Sequence, residues 1–156
     1  MPVPSTPQSG HAALRRGRTS IAGQIYLITF VTKQRRALFS NPDMARLVAS
    51  VVAQHTWTQS RLLAWVLMPD HWHGLIELGE PDALSAVVGR LKANTSRRLH
   101  QEFPESGPVW ARAFHDRALR SDEHVLLAAR YLALNPVRAG LVQRVGDYPY
   151  WDAIWL

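Results

Sequence analysis

The sequence predicts an α+β fold, an antiparallel sheet laid down in the order β-α-β-β-α-β with one further helix appended. Three observations carry that reading. Short runs rich in β-branched and aromatic residues alternate with longer segments whose apolar residues recur at helical spacing. Two strand-like runs are joined only by Met68-Pro69-Asp70, too short for a helical crossover, so they must pair antiparallel. A chain of 156 residues with 47% hydrophobic content is the size of one domain with a substantial core.

Taken in order, residues 1–20 read as a flexible arm. MPVPSTPQSG is rich in Pro and Ser, and HAALRRGRTS adds Arg15, Arg16 and Arg18 before the first strand. Residues 21–156 then form the single domain. IYLITFVTK, from Ile25 to Lys33, is the first strand. Asn41 is placed to cap a helix that has Pro42 at its first position and runs through MARLVASVVAQHTW. Leu62 to Met68 is the second strand and His71 to Leu78 the third. Pro69 belongs in the turn between them because it has no N–H for a ladder.

The second helix is expected from about Asp82 to Glu102. Leu84, Val87, Val88, Leu91, Thr95 and Leu99 face the sheet, while Arg90, Asn94, Arg97 and Gln101 form a separate stripe flanked by Lys92 and Arg98. After the PESGP loop, VWARAFHDRALR reads as a fourth strand or an irregular hairpin. Ser121, Asp122 and Glu123 open the third helix, with acids where the helix dipole favours them. The order is ferredoxin-like. Two helices cover one side of the sheet, and the other side is open to the third helix or to a ligand.

Eighteen Lys and Arg against twelve Asp and Glu leave a formal charge of +6, which suits a polyanionic partner. The first 40 residues hold Arg15, Arg16, Arg18, Lys33, Arg35 and Arg36 and no acid. With no cysteine, disulfides, thiolate metal sites and thiol nucleophiles are excluded. There is no internal repeat, no apolar run long enough to span a membrane and no signal-type N-terminus.

The chemistry-bearing stretch is MPDHWHGLI. On a strand, His71 and His73 share one face and Trp72 takes the other. The pair is either half of a metal site or part of a His-rich surface strand, because two histidines are too few to fix an ion. The third helix, HVLLAARYLALNPVRAGLV, offers a complement. His124, Tyr131 and Asn135 lie at spacings that share one face, and Val125, Ala129 and Leu132 form an apolar one. Both polar residues also have structural explanations. A tyrosine among apolar residues fits a core position with its hydroxyl tied. Asn135 precedes Pro136, which disfavours helical backbone there, so the helix is expected to end or kink, with Gly140 closing its last turn.

Taken together, these stretches resemble the single-tyrosine HUH transposases of bacterial insertion sequences, most closely the REP-associated tyrosine transposases. The likeness extends over nearly the whole chain. It is carried by GRTSIAGQIYLITFVTKQRRALF, WVLMPDHWHGLIEL, LSAVVGRLKANTSRRL, VWARAFHDRALRSDEH and YLALNPVRAGLVQRVGDYPYWDAIWL. His-x-His alone would be weak; MPDHWH about sixty residues before YLALNPVRAGLV, with FHDRALR between, is specific.

The resemblance implies a ferredoxin-like nuclease domain in which His71, His73 and Asn135 hold a divalent cation, Mg²⁺ or Mn²⁺, and Tyr131 is the nucleophile. It implies transesterification of single-stranded DNA at hairpin elements through a covalent 5′-phosphotyrosine, and a monomer rather than a helix-exchanged dimer. It also implies a cytoplasmic, nucleoid-associated bacterial protein. The residues alone would also allow Zn²⁺. Arg15, Arg16, Arg18, Arg90, Lys92, Arg97, Arg98, Arg112, Arg117 and Arg120 are candidate phosphate contacts. Trp110, Tyr148, Tyr150 and Trp151 offer stacking surfaces for bases, although the tail aromatics fit packing on the core equally well. His115 and Asp116 are candidates to orient a ligand or water around the ion. Two alternatives stay open. One is a DNA- or RNA-binding module without chemistry; the other is a metal-dependent hydrolase with Glu77 as third ligand.

Overall fold

The computed structural model describes residues 23–80, 82–120 and 122–155. The arm with Arg15, Arg16 and Arg18, and the helix-opening Ser121, lie outside the described residues. Strands β1 (Ile25–Val31), β2 (Arg61–Met68), β3 (His71–Glu77), β4 (His115–Leu119) and β5 (Trp151–Ala153) form one sheet in the order β4-β1-β3-β2-β5. Every neighbouring pair is antiparallel. The first four strands follow the expected order. β5 is an addition, pairing with Ala64–Val66 on the outer edge of β2. Three residues are too few to show alternation; what selects them is the row of unpaired backbone groups that an edge strand presents.

Helix α1 (Pro42–Gln54) starts as its sequence dictates: Asn41 Oδ1 accepts from the backbone N–H of Asp43 and Met44, at 2.9 and 3.3 Å. Helix α2 (Leu84–Glu102) starts after Asp82 rather than at it. The Asp82 carboxylate is engaged elsewhere, accepting from the Ser60 hydroxyl at 2.8 Å and from Arg90 at 3.3 Å. All six residues expected to face inward on this helix are buried. The fourth strand is shorter than the sequence pattern, because Trp110 makes only an isolated bridge to Thr32.

Helix α3 (Asp122–Arg138) does not end at Asn135. It runs through Pro136 for part of a turn more, and Gly140, at φ 75°, closes it by donating to Val137 while Leu141 donates to Pro136. A proline costs the helix one N–H and crowds the preceding turn, which is tolerable this near a C-terminus.

The pleat separates two cores. Tyr26, Ile28, Phe30, Trp72 and Ile76 pack with α1 and α2. Val66, Met68 and Leu75 pack with Val125, Ala129 and Leu132 of α3, so α3 covers the second face. A bulge between Leu62 and Ala64 shifts the phase of β2, letting Leu62 join the first core while Leu63 and Ala64 join the second. Trp72 is fully buried and stacks on Phe30, ring centroids 4.9 Å apart. Gly74 is next on that face, and any Cβ there would overlap the Trp72 ring. The strand that carries the histidines is thereby anchored from beneath.

Candidate active site

His71 and His73 point to the α3 side, as the alternation requires, with ring centroids 4.5 Å apart and planes nearly perpendicular. Each ring is held through Nδ1. His71 Nδ1 lies 2.7 Å from Asp70 Oδ1, and His73 Nδ1 lies 2.6 Å from the hydroxyl of Thr29, its cross-strand partner on β1. Burial holds the His73 pKa down to about 3. The neighbouring His71 adds to the shift, a hydrogen bond to the Ile28 backbone opposes it, and Arg138 and Arg35 contribute smaller amounts. His73 is therefore neutral, the form in which imidazole ligates metal. With Nδ1 of His71 on Asp70, its Nε2 is the nitrogen available to ligate. The pair fits a cation site that needs further donors. Among the described residues no group of three or more His, Cys, Asp or Glu could hold a metal ion.

Tyr131 is not a core residue. It is 52% exposed on α3 and lines a cleft of about 750 Å³ together with His73, His124, Arg117 and Arg120. Asn135 follows one turn later, half-buried. Arg138 lies over the Tyr131 ring, its guanidinium carbon 3.9 Å from the ring centre, and donates to the Tyr131 carbonyl. The fold thus brings His73 of a central strand and Tyr131 of the last helix to one cleft, whose lining does not include His71 or Asn135.

The remaining candidates divide. His115 stands opposite Thr29, in the cross-strand row that also holds His73. Asp116 stands opposite Ile28, and the pleat puts it on the other face, away from the histidines it was expected to orient. Arg117 and Arg120 are on the cleft, and Arg112 is exposed nearby in sequence. Arg90 pairs with Asp82, Arg97 donates to Asn94 at 2.9 Å, and Arg98 is half-buried. Lys92 is turned inward, its ammonium donating to the carbonyls of Ala111, Arg112 and Ala113. Trp110 packs perpendicular to Phe30 and donates to Thr95, and Tyr148 is buried with its hydroxyl on the Leu67 carbonyl. Buried Tyr148 presents no free face for a base, whereas Trp110 is only partly buried. Tyr150 and Trp151 are partly buried against the second core. Glu77 pairs with Arg61 at 3.4 Å, at the opposite end of β3 from His71.

Two residues near the site escape a reading of the sequence, and a third is legible in it. Thr29 is indistinguishable from any strand threonine until the β1–β3 register sets it against His73. Strand alternation extended through Asp70 would put it off the histidine face, yet it belongs to the turn, where alternation does not apply. Arg138 was within reach of the sequence: seven residues after Tyr131 is two helical turns, hence the same face.

The family model described as "Transposase IS200 like" matches residues 20–132, a span that includes His71, His73 and Tyr131 and stops short of Asn135. A Haemophilus influenzae protein named as a REP-associated tyrosine transposase is 27% identical over 139 residues, covering 82% of this chain and 78% of the relative. The REP-associated tyrosine transposase of Escherichia coli is 23% identical over 136 residues, covering 85% and 78%. In fold, the chain is similar to a REP-associated tyrosine transposase solved bound to a REP hairpin. That match has a TM-score of 0.67 and 24% identity over 86% of this chain and 79% of the other.

Proposed function

The chain belongs to the family of IS200-like transposases, and from that premise we propose that it cleaves and rejoins single-stranded DNA at hairpin elements, with Tyr131 as the nucleophile. One observation carries the reading: Tyr131, on the last helix, is half-exposed in the same cleft as the neutral His73. A binding module would have no need of that pairing. The hydrolase reading with Glu77 as third ligand is disfavoured because Glu77 is engaged by Arg61 at the far end of the strand.

In this reading the Tyr131 oxygen attacks the scissile phosphorus. A phosphorus–oxygen bond to tyrosine forms as the bond to the 3′ oxygen breaks; the phenolic proton goes to solvent and the departing 3′ oxygen gains one. The 5′-phosphotyrosine keeps the energy of the ester, so a second 3′-hydroxyl reverses the step without ATP. His71, His73 and Asn135 are the residues that would hold a divalent cation, Mg²⁺ or Mn²⁺. When bound, it supplies polarisation of a nonbridging oxygen and offsets charge on the five-coordinate phosphorus. Arg117 and Arg120 line the cleft where the strand's phosphates would pass. Arg90, Arg97 and Arg98 lie on α2, which covers the other face of the sheet, and remain, with Arg112, Arg15, Arg16 and Arg18, candidate phosphate contacts away from the cleft lining. The monomer is taken from the resemblance to the REP-associated branch. The hairpin substrate is taken from the relatives, whose names and one complex refer to REP elements.

The test is covalent capture. Incubation with an internally labelled hairpin strand and Mg²⁺ or Mn²⁺ should leave a protein–DNA adduct, and a label confined to the original 5′ end should leave with the free fragment. Tyr131→Phe keeps the ring and its packing and should bind the hairpin without forming the adduct. The His71→Ala/His73→Ala double variant should bind but not cleave, as should the wild type in EDTA. An adduct that persists in Tyr131→Phe, or maps to Tyr26, Tyr148 or Tyr150, would overturn the assignment.

A further inference from the structure

The pair of histidines rests on a device outside the helix that carries Tyr131. The short segment from Thr32 to Phe39, between β1 and α1, is bolted to the Pro69-Asp70 turn that introduces His71. Thr32, fully buried, donates its backbone N–H to the Asp70 carbonyl (2.9 Å), and its hydroxyl lies between the carbonyls of Arg36 (2.7 Å) and Asp70 (3.1 Å). Phe39 N–H donates to the Pro69 carbonyl at 3.0 Å. Arg35 Nε meets Asp70 Oδ2 at 3.2 Å, while Asp70 Oδ1 holds His71 Nδ1 at 2.7 Å. Arg35 and Gln34 are also the two non-glycine residues with positive φ among the described residues, at 54° and 57°. Side chains rarely adopt that backbone region, and it persists where surrounding contacts overdetermine it. Here the contacts that hold it include the Arg35–Asp70 pair, beside the Thr32 hydroxyl on the Arg36 carbonyl (2.7 Å) and the Lys33 N–H on the Val109 carbonyl (2.9 Å).

We infer that Asp70 is a positioning residue for His71, with Arg35 clamping its free oxygen, and that this chain of contacts sets how tightly the site holds a divalent cation. It rests on the reading of His71 and His73 as cation ligands. A carboxylate on Nδ1 keeps the proton there, leaves the Nε2 lone pair outward and stops the ring from rotating; such partners of metal-bound histidines are worth about 10–100-fold in affinity. Arg35 occupies the other carboxylate oxygen, so Asp70 has one orientation rather than several. His73 is treated differently, with a neutral threonine hydroxyl on its Nδ1. The two ligands should therefore respond unequally to changes around them.

The full-length Tyr131→Phe chain, bound to an uncleaved hairpin oligonucleotide, allows Mn²⁺ affinity to be read from the free-ion electron paramagnetic resonance signal. Asp70→Ala should weaken it by about 10–100-fold. Asp70→Asn, which keeps an acceptor for the Nδ1 proton, should restore part of the loss. Arg35→Gly removes the guanidinium while suiting the positive φ, so it should weaken Mn²⁺ binding several-fold without lowering thermal stability. The second readout needs no ion. Long-range ¹⁵N–¹H spectra of the metal-free protein should show His71 as the Nδ1–H tautomer, mixed in Asp70→Ala and retained in Asp70→Asn. His71→Ala is the control. If it loses Mn²⁺ while Asp70→Ala and Arg35→Gly bind like the parent, the clamp is overturned and the ligand reading stands. If His71→Ala also binds like the parent, the ligand reading fails and the inference with it. Affinity lost in Asp70→Ala with no change of tautomer would make Asp70 a fold residue and overturn the inference. Should Asp70→Ala not fold, Asp70→Asn and Arg35→Gly decide between the same outcomes.

Discussion

His73 shows how one side chain can be a liability to the fold and yet suit the ligand role proposed for it. Its pKa sits near 3 when folded, burial being the main cause, against an ordinary 6.5 in an unfolded chain. Above pH 6.5 the ring is neutral in both states and contributes nothing. As pH falls from about 6.5 towards 3, the unfolded chain takes up a proton that the folded ring refuses, so stability is lost on acidification. His55, lowered by burial and by Arg90, acts in the same direction. Urea unfolding of the metal-free protein at pH 7, 5.5 and 4.5 should therefore show a steeper loss for the wild type than for His73→Asn. The difference should be of order 1 kcal/mol per pH unit inside the window. Equal slopes would mean that His73 accepts a proton freely in the fold, and its fitness as a neutral ligand would be lost.

At the level of elements, α2 and β4 show that neighbouring basic residues divide between scaffold and surface. Lys92 of α2 spends its ammonium on the carbonyls of residues 111–113, the segment that leads into β4, and also lies over the Phe30 ring. Arg117 of β4 is exposed on the cleft. Lys92→Met should therefore lower stability by about 1–3 kcal/mol, since carbonyls lose a charged donor, with little change in the salt dependence of hairpin binding. Arg117→Ala should leave the unfolding midpoint nearly unchanged, weaken hairpin binding, and reduce the slope of log affinity against log salt by about one phosphate contact. Chemical denaturation and binding titrations on the two variants separate the roles. A reversal of the two phenotypes would show that the surface had been assigned to the wrong element.

The molecule as a whole carries +6 and has no described helix long and apolar enough to cross a membrane. A surplus of that size attracts any polyanion, so the discriminating quantity is the preference among DNA forms. The wild type should bind a folded single-stranded hairpin more tightly than a linear duplex of the same sequence, and both complexes should weaken between 50 and 200 mM salt, values chosen to span the usual counterion-release range. Equal affinity for the two forms would remove the hairpin from the proposed function. Absence of a salt effect would remove the basic surface.

By itself the sequence determined the strand and helix order, the cap at Asn41, the inward stripe of α2 and the common face of His71 and His73. All of these are set by local periodicity, φ restriction and capping chemistry, which act over a few residues. It also held the stretches that resemble the family now shown by residues 20–132. Only the tertiary structure decided that Tyr131 is exposed rather than core, that α3 rather than a ligand covers the second face, and that Asp116 faces away from the site. It alone set Thr29 against His73, Arg35 against Asp70, and β5 on the edge of β2. Those outcomes depend on strand register and on contacts between residues 35 to more than 80 positions apart in sequence. Such pairings are selected by which buried faces and unpaired backbone groups can be satisfied together, a condition on the whole fold that no short stretch of sequence encodes.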